Sequence, residues 1–160
     1  MRSIEIATAE LEDAEPLSNL LREIISQLPY YNARAKTEEL AKYTAPLLRE
    51  LITMDREAIL LARGAGQIVG FCLSRYDDGL VWLSWIGVRP GYRKIGVAGE
   101  LLLALSETLG RRGAHKLWCD TRTENVGSQR LLAKFGFRRV AELTNHWYGQ
   151  DFFLWEWMPA

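Results

Sequence analysis

Cysteine is scarce, with two in 160 residues. Cys72 and Cys119 each stand inside an apolar, strand-like run, so both are expected as small buried hydrophobes. Cys119 as an acyl-accepting nucleophile would need a base, and none follows at a suggestive position. No Cys/His spacing suits a metal ion. An excess of one charge is equally missing, because 20 basic residues balance 20 acidic ones. That removes the positive field that attracts nucleic acid or an anionic membrane. The longest leucine-rich run, Leu101 to Leu105, falls far short of a bilayer span. No apolar signal core follows Met1-Arg2, where Ile4, Glu5, Ile6 and Ala7 simply alternate, and a cytoplasmic protein is expected. Repeats and low-complexity segments are absent. So are the P-loop pattern and the G-x-G-x-x-G dinucleotide fingerprint, which excludes the two commonest nucleotide motifs.

What is present is an ordinary globular composition, 48% apolar and 25% charged, in a chain sized for one domain over residues 1–160 with a single core. The periodicity predicts a strand over 3–8 and a helix from about Asp13 to Pro29 carrying Leu17, Leu20, Leu21, Ile24 and Ile25. A second helix is predicted from Thr37 through Ile52, kinked or divided at Pro46. Ala58 to Arg63, Gln67 to Tyr76 and Leu80 to Val88 read as an antiparallel meander turned at Gly64-Ala65-Gly66 and Asp77-Asp78-Gly79. The run Leu80 to Val88 then feeds a small-residue turn that opens a helix with Leu102, Leu105 and Leu109 on one face. A strand over 116–120 follows and should run parallel to the one before that helix by a right-handed crossover. A short helix from Asn125 to Phe135 and two strands, 137–143 and 151–158, complete the pattern.

The strand, turn and helix around residue 90 suit a phosphate ligand, because the first amides of a helix lack internal partners and carry partial positive charge. Gly96, Ala98 and Gly99 let a ligand reach the main chain, and Arg93 and Lys94 add charge. The sequence here, Arg93-x-x-Gly96-x-Ala98 preceded by Val88-x-Pro90-x-Tyr92, resembles the R/Q-x-x-G-x-G/A acyl-CoA motif of the GNAT superfamily of N-acyltransferases. Asn125, ten residues before Phe135-Gly136-Phe137, resembles the superfamily's second motif. The likeness spans roughly residues 58–158.

This resemblance implies an α/β (α+β) fold, a mixed, mostly antiparallel twisted sheet of about seven strands with about four helices and a cleft between two splayed parallel central strands. It also implies acetyl-CoA as cosubstrate, with no metal. Ile86, Gly87 and Val88 would bond the pantetheine arm beside a bulge at Gly87, and the Val88 amide would face the thioester oxyanion. Arg93, Lys94, Ile95, Gly96, Val97, Ala98 and Gly99 would hold the diphosphate. Asn125 would touch the arm, although helix capping suits it equally. Gly87 alone could be a packing glycine, and Arg130 and Lys134 are either adenosine-phosphate contacts or solvated charges.

The chemistry implied is attack of a neutral amine on a thioester, which needs a base for the amine and an acid for the departing thiolate. Asp120 falls where N-terminal acetyltransferases of the ribosomal-protein alanine type carry a glutamate, and it is the candidate base, acting through a water. A structural ion pair with Arg122 or a turn-forming aspartate is the rival reading, and Glu124 is a weaker candidate. Leu132 stands where many members have a tyrosine acid, so Tyr148, or Tyr92, is the candidate replacement. Ser84 and Trp85 stand where many have a carboxylate. Tyr30, Tyr31, Trp85 and His146 are candidates for the acceptor wall, against a purely structural use of these aromatics. The expected activity is N-acetyl transfer to a small amine or peptide N-terminus, with no nucleic-acid or membrane partner, and a homodimer is compatible with the class. The alternatives are a non-catalytic acyl-CoA-binding module and a generic phosphate-binding domain.

Overall fold

The computed structural model describes residues 3–160; Met1 and Arg2, at the head of the N-terminal run, lie outside the described residues. The chain runs β1 (Glu5–Thr8), α1 (Ala14–Ser26), α2 (Ala33–Ala41), α3 (Ala45–Met54), β2 (Ile59–Gly64), β3 (Gln67–Asp77), β4 (Leu80–Val88), α4 (Val97–Thr108), β5 (Lys116–Arg122), α5 (Val126–Phe135), β6 (Arg138–Leu143) and β7 (Phe152–Trp157). Among the described residues there are five helices where about four were expected, because Pro46, read as kinking or dividing the second predicted helix, divides it and stands in the first turn of α3. There its missing N–H costs nothing, whereas inside one long helix it would remove a bond and clash with the preceding turn. The helix also starts earlier than Thr37. Asn32 caps α2 by accepting from the Ala35 amide at 2.9 Å.

The seven strands form one sheet in the order β1-β2-β3-β4-β5-β7-β6. Its two predicted hairpin turns have positive φ at both central residues, 51° and 75° at Ala65 and Gly66, 48° and 85° at Asp78 and Gly79. That hand matches the twist of the flanking strands. β4 and β5 are the parallel pair, but only Leu80, Val81 and Trp82 of β4 are in register with Lys116, Leu117 and Trp118. Beyond them the two strands part.

The cause lies three residues from where it was expected. β4 pairs Leu83 with Ser74 and Trp85 with Leu73, so Ser84 is the extra residue of a bulge, and a bulge bends the strand that carries it. Gly87 instead pairs regularly with Phe71. A Cβ there would sit 2.5 Å from the Phe71 ring, which makes Gly87 a packing glycine.

Both faces of the sheet are covered. Leu101, Leu102 and Leu105 of α4 and Leu132 of α5 pack on one side with Val81, Leu83 and Leu117. Leu17, Leu21 and Ile25 of α1 and Leu48 of α3 pack on the other with Leu61, Phe71 and Leu73. Full burial of each such side chain is worth about 1.5–3 kcal/mol. Cys72 and Cys119 are both buried and unbridged.

Candidate active site

β4 ends at Val88, and the chain turns through Pro90–Tyr92 with Lys94 at φ 64° and Gly96 at φ 91° before α4 begins. The Glu100 amide donates to the Gly96 carbonyl at 3.0 Å and closes the first helical turn. The amides of Val97, Ala98 and Gly99 precede that bond, in the part of a helix without internal acceptors. A groove of about 470 Å³ runs past them, walled by Ile86, Gly87 and Val88 of β4 and by Asn125 and Ser128. A Cβ built on Gly96 or Gly99 would meet nothing within 4 Å, so the main chain there is open to a ligand. Open amides beside two cationic residues fit a diphosphate.

The strand register fits the rest of such a ligand. The Arg89 amide donates to Val69 on β3 at 2.7 Å. Alternation therefore turns the amides of Ile86 and Val88 the other way, toward the gap that β5 leaves. Arg93 lines the groove and donates from Nε to the Val88 carbonyl at 2.9 Å, which ties the turn to the strand end. Ile95 is 53% exposed and does not line the groove. Arg130 and Lys134 are exposed and also lie outside it.

The groove continues into a neck of about 100 Å³ that shares Tyr30, Ile86 and Asn125 with it and adds Ser84, Trp85 and Asp120. The neck opens in turn to an outer cavity of about 350 Å³, which shares Tyr31, Ser84, Trp85 and Asp120 with the neck. Asp120 on β5 and the bulged Ser84 on β4 thus face each other where the strands have separated. The three cavities therefore adjoin through shared residues, from the α4 N-terminus to the walls formed by Trp82 and Tyr148.

Asp120 is half-buried. Burial pushes its carboxyl up to about 6, opposed by a hydrogen bond from the Trp147 side chain and reinforced by the nearby charge of Glu39. The ion pair with Arg122 does not form, since Arg122 pairs with Glu124 at 3.4 Å and donates to the Asp151 carbonyl at 3.0 Å. Tyr148 donates from its hydroxyl to Glu39 at 2.7 Å. Burial and that bond raise its pKa, so it keeps its proton. It lines only the outer cavity, away from the groove end where a thiolate would leave. Tyr30 and Tyr31 sit at the neck, with the Tyr31 ring 5.5 Å from both Tyr30 and Trp85. His146 is exposed, meets Trp147 edge to face with the ring centroids 4.5 Å apart, and lines none of the three cavities. Asn125 caps α5 through the Ser128 amide at 3.1 Å while also lining groove and neck, so both of its expected roles fit one position.

The residue that sequence reading missed is Glu39. Its carboxylate accepts from Trp85 Nε1 at 3.1 Å, Tyr148 at 2.7 Å and Lys42 Nζ at 2.8 Å. The clue lay in spacing, because Lys42, the C-cap of α2, and Tyr43 just beyond it follow at i+3 and i+4 in the turn that ends the helix. All three line the outer cavity. Among the described residues no cluster of His, Cys, Asp and Glu could hold a metal ion, and no helix is long and apolar enough to cross a membrane.

The same architecture recurs among solved proteins. PaiA N-acetyltransferase from Thermoplasma acidophilum, solved in complex with coenzyme A, superposes with a TM-score of 0.84 at 21% identity, covering 98% of this chain and 99% of that one. Ard1 from Thermoplasma volcanium gives 0.77 at 20%, covering 98% of each. An uncharacterized N-acetyltransferase of Mycobacterium tuberculosis is 37% identical over 99 residues, and the match spans 61% of this chain and 64% of that relative. Residues 20–137 match the Acetyltransferase (GNAT) family, and the chain belongs to that family.

Proposed function

We propose that this protein transfers an acetyl group from acetyl-CoA to a primary amine, a small amine or a peptide N-terminus, by direct attack within a ternary complex. The observation that carries the reading is the series of adjoining cavities, with the open α4 amides at one end and Asp120 lining both the neck and the outer cavity. The α4 amides with Arg93 and Lys94 would hold the diphosphate. The Ile86 and Val88 amides would receive the pantetheine arm and the thioester oxygen. Coenzyme A supplies the activated acyl group and a thiolate leaving group.

In this reading the amine enters by the outer cavity, its nitrogen bonds the carbonyl carbon, and the carbon–sulfur bond breaks. The amine's proton passes to Asp120, directly or through a water, and the thiolate takes a proton from solvent. A base with pKa about 6 is charged at pH 7 yet close enough to neutrality to exchange protons. Loss of the usual tyrosine at Leu132, which packs in the core, is tolerable. General acid help is worth roughly 3–5 kcal/mol, less than the roughly 7–11 kcal/mol available from positioning.

Thiol release measured on a panel of amines and peptides tests this. Turnover is expected, with log kcat/KM for the acceptor rising with slope one up to the amine's pKa and slope two below pH about 6, where Asp120 also takes a proton. Calorimetric binding of acetyl-CoA without turnover on any acceptor would favour the binding-module alternative. Failure to bind it at all would remove both.

A further inference from the structure

Four charged side chains line the outer cavity: Glu39, Lys42, Arg75 and Asp120. Two of them cancel. Lys42 pairs with Glu39 at 2.8 Å, and the same carboxylate also accepts from Trp85 and Tyr148, which leaves it little capacity for a ligand cation. The other two are not neutralised by each other. Asp120 stands at the inner end, shared with the neck. Arg75 stands on β3 and, among the described residues, makes no ion pair. Burial raises the pKa of Tyr43, another wall of the cavity, and Arg75 lies close enough for its charge to oppose that rise.

Strand register sets the separation. Arg75 pairs with Trp82, Trp82 is in register with Trp118, and Asp120 lies two residues further along β5. The Trp82 and Trp118 rings touch edge to face at 4.8 Å, so this row faces one side of the sheet. Two strand spacings and two residue rises put the Arg75 and Asp120 Cα atoms roughly 12 Å apart. The cavity is therefore negative where the reacting amine must sit and positive several bonds away.

We infer that the preferred acceptor is a primary amine that also carries a carboxylate several bonds from its nitrogen, as in an amino acid or a peptide with an acidic residue near its N-terminus, and that Arg75 selects it. This rests on the acetyl-transfer reading. A guanidinium takes a carboxylate through two parallel hydrogen bonds. A diamine of the same length would instead place its second ammonium against Arg75. The aromatic surfaces of Trp82 and Tyr43 would cover the linking carbons.

The test compares kcat/KM for 4-aminobutanoate and 6-aminohexanoate with the diamines of equal chain length, and for tripeptides with glutamate or lysine at the second position. A neutral alkylamine serves as reference. The wild type is expected to favour the carboxylate-bearing acceptors by about tenfold, one modest attraction gained and one repulsion avoided. Arg75→Glu should reverse the preference and Arg75→Gln should erase it. Each ratio is internal to one preparation, so a partly unfolded variant still reports it. Diamines equal to or better than amino acids in the wild type, or a ratio that neither variant moves, would overturn the inference while leaving acetyl transfer intact. Absence of turnover on every amine, the reference included, would instead remove the acetyl-transfer reading and this inference with it.

Discussion

The groove beside α4 draws more than half of its lining from one continuous stretch, 86–99, whereas the outer cavity takes Glu39 from α2, Trp82 from β4, Asp120 from β5 and Trp147 from the last loop. The first surface depends on backbone conformation: a left-handed Gly96, uncapped amides, and a strand whose partner has moved away. The second depends on side chains converging from elements distant in sequence. Changes in the groove should therefore act on acetyl-CoA affinity, and changes in the cavity on the acceptor and on proton transfer.

Asp120→Asn separates the two most sharply. It should lower kcat about 10²- to 10⁴-fold while leaving KM for acetyl-CoA unchanged. Stability should move the opposite way. Because the folded pKa of Asp120 is raised from 3.8 to about 6, the native state holds a proton that the unfolded chain has released between those values. Stability is then fully present below pH 3.8 and declines as pH rises through about 6. Asparagine keeps an acceptor for Trp147 without the buried charge. The variant should be more stable at pH 8 by about 2 kcal/mol, with no gain at pH 4, in denaturant melts. An equal loss of rate with a rise in KM for acetyl-CoA would blur the boundary between groove and cavity.

Gly87→Ala works on the other surface. Its Cβ would lie 2.5 Å from Phe71 at the centre of the core, and overpacking of this kind costs about 1–3 kcal/mol. Any shift of β4 also displaces the Ile86 and Val88 amides, so KM for acetyl-CoA should rise several-fold while the acceptor ranking stays. Adding Phe71→Leu should recover part of the stability, and a double-mutant cycle would measure the coupling. Additivity of the two changes would refute the packing account.

That contrast also explains what could be read from the chain. The strand order around α4, both hairpins and the small-residue turn are written in consecutive residues with local physical reasons, and the groove was legible with them. The bulge was misplaced because Gly87 is conspicuous in a strand, yet its smallness answers to Phe71, sixteen residues away and visible only in register. Pro46 announced a break, but not whether a helix would bend there or start anew. Trp147, rather than its neighbour His146, reaches Asp120. Loop backbone decides that, with Tyr148 at φ 57° and Asn145 at φ 50°, and no periodicity describes such a turn.

The smallest expected effect tests the least legible residue. Glu39 holds Trp85 and Tyr148 by one hydrogen bond each and adds negative charge near Asp120. A purely structural role predicts that Glu39→Gln, which keeps one carbonyl acceptor, lowers stability by about 1 kcal/mol and changes rate at all pH values equally. An electrostatic role predicts more. Removing the Glu39 charge lowers the cost of ionising Asp120, so the slope-two region of the acceptor profile should begin below pH 6 rather than near it. The variant would then retain a larger fraction of its pH 8 activity at pH 5 than the wild type does. KM for the acceptor should rise a few-fold as the Trp85 and Tyr148 walls loosen, while KM for acetyl-CoA should hold. A profile that keeps its break at the wild-type pH would confine Glu39 to packing and leave Asp120 tuned by burial alone.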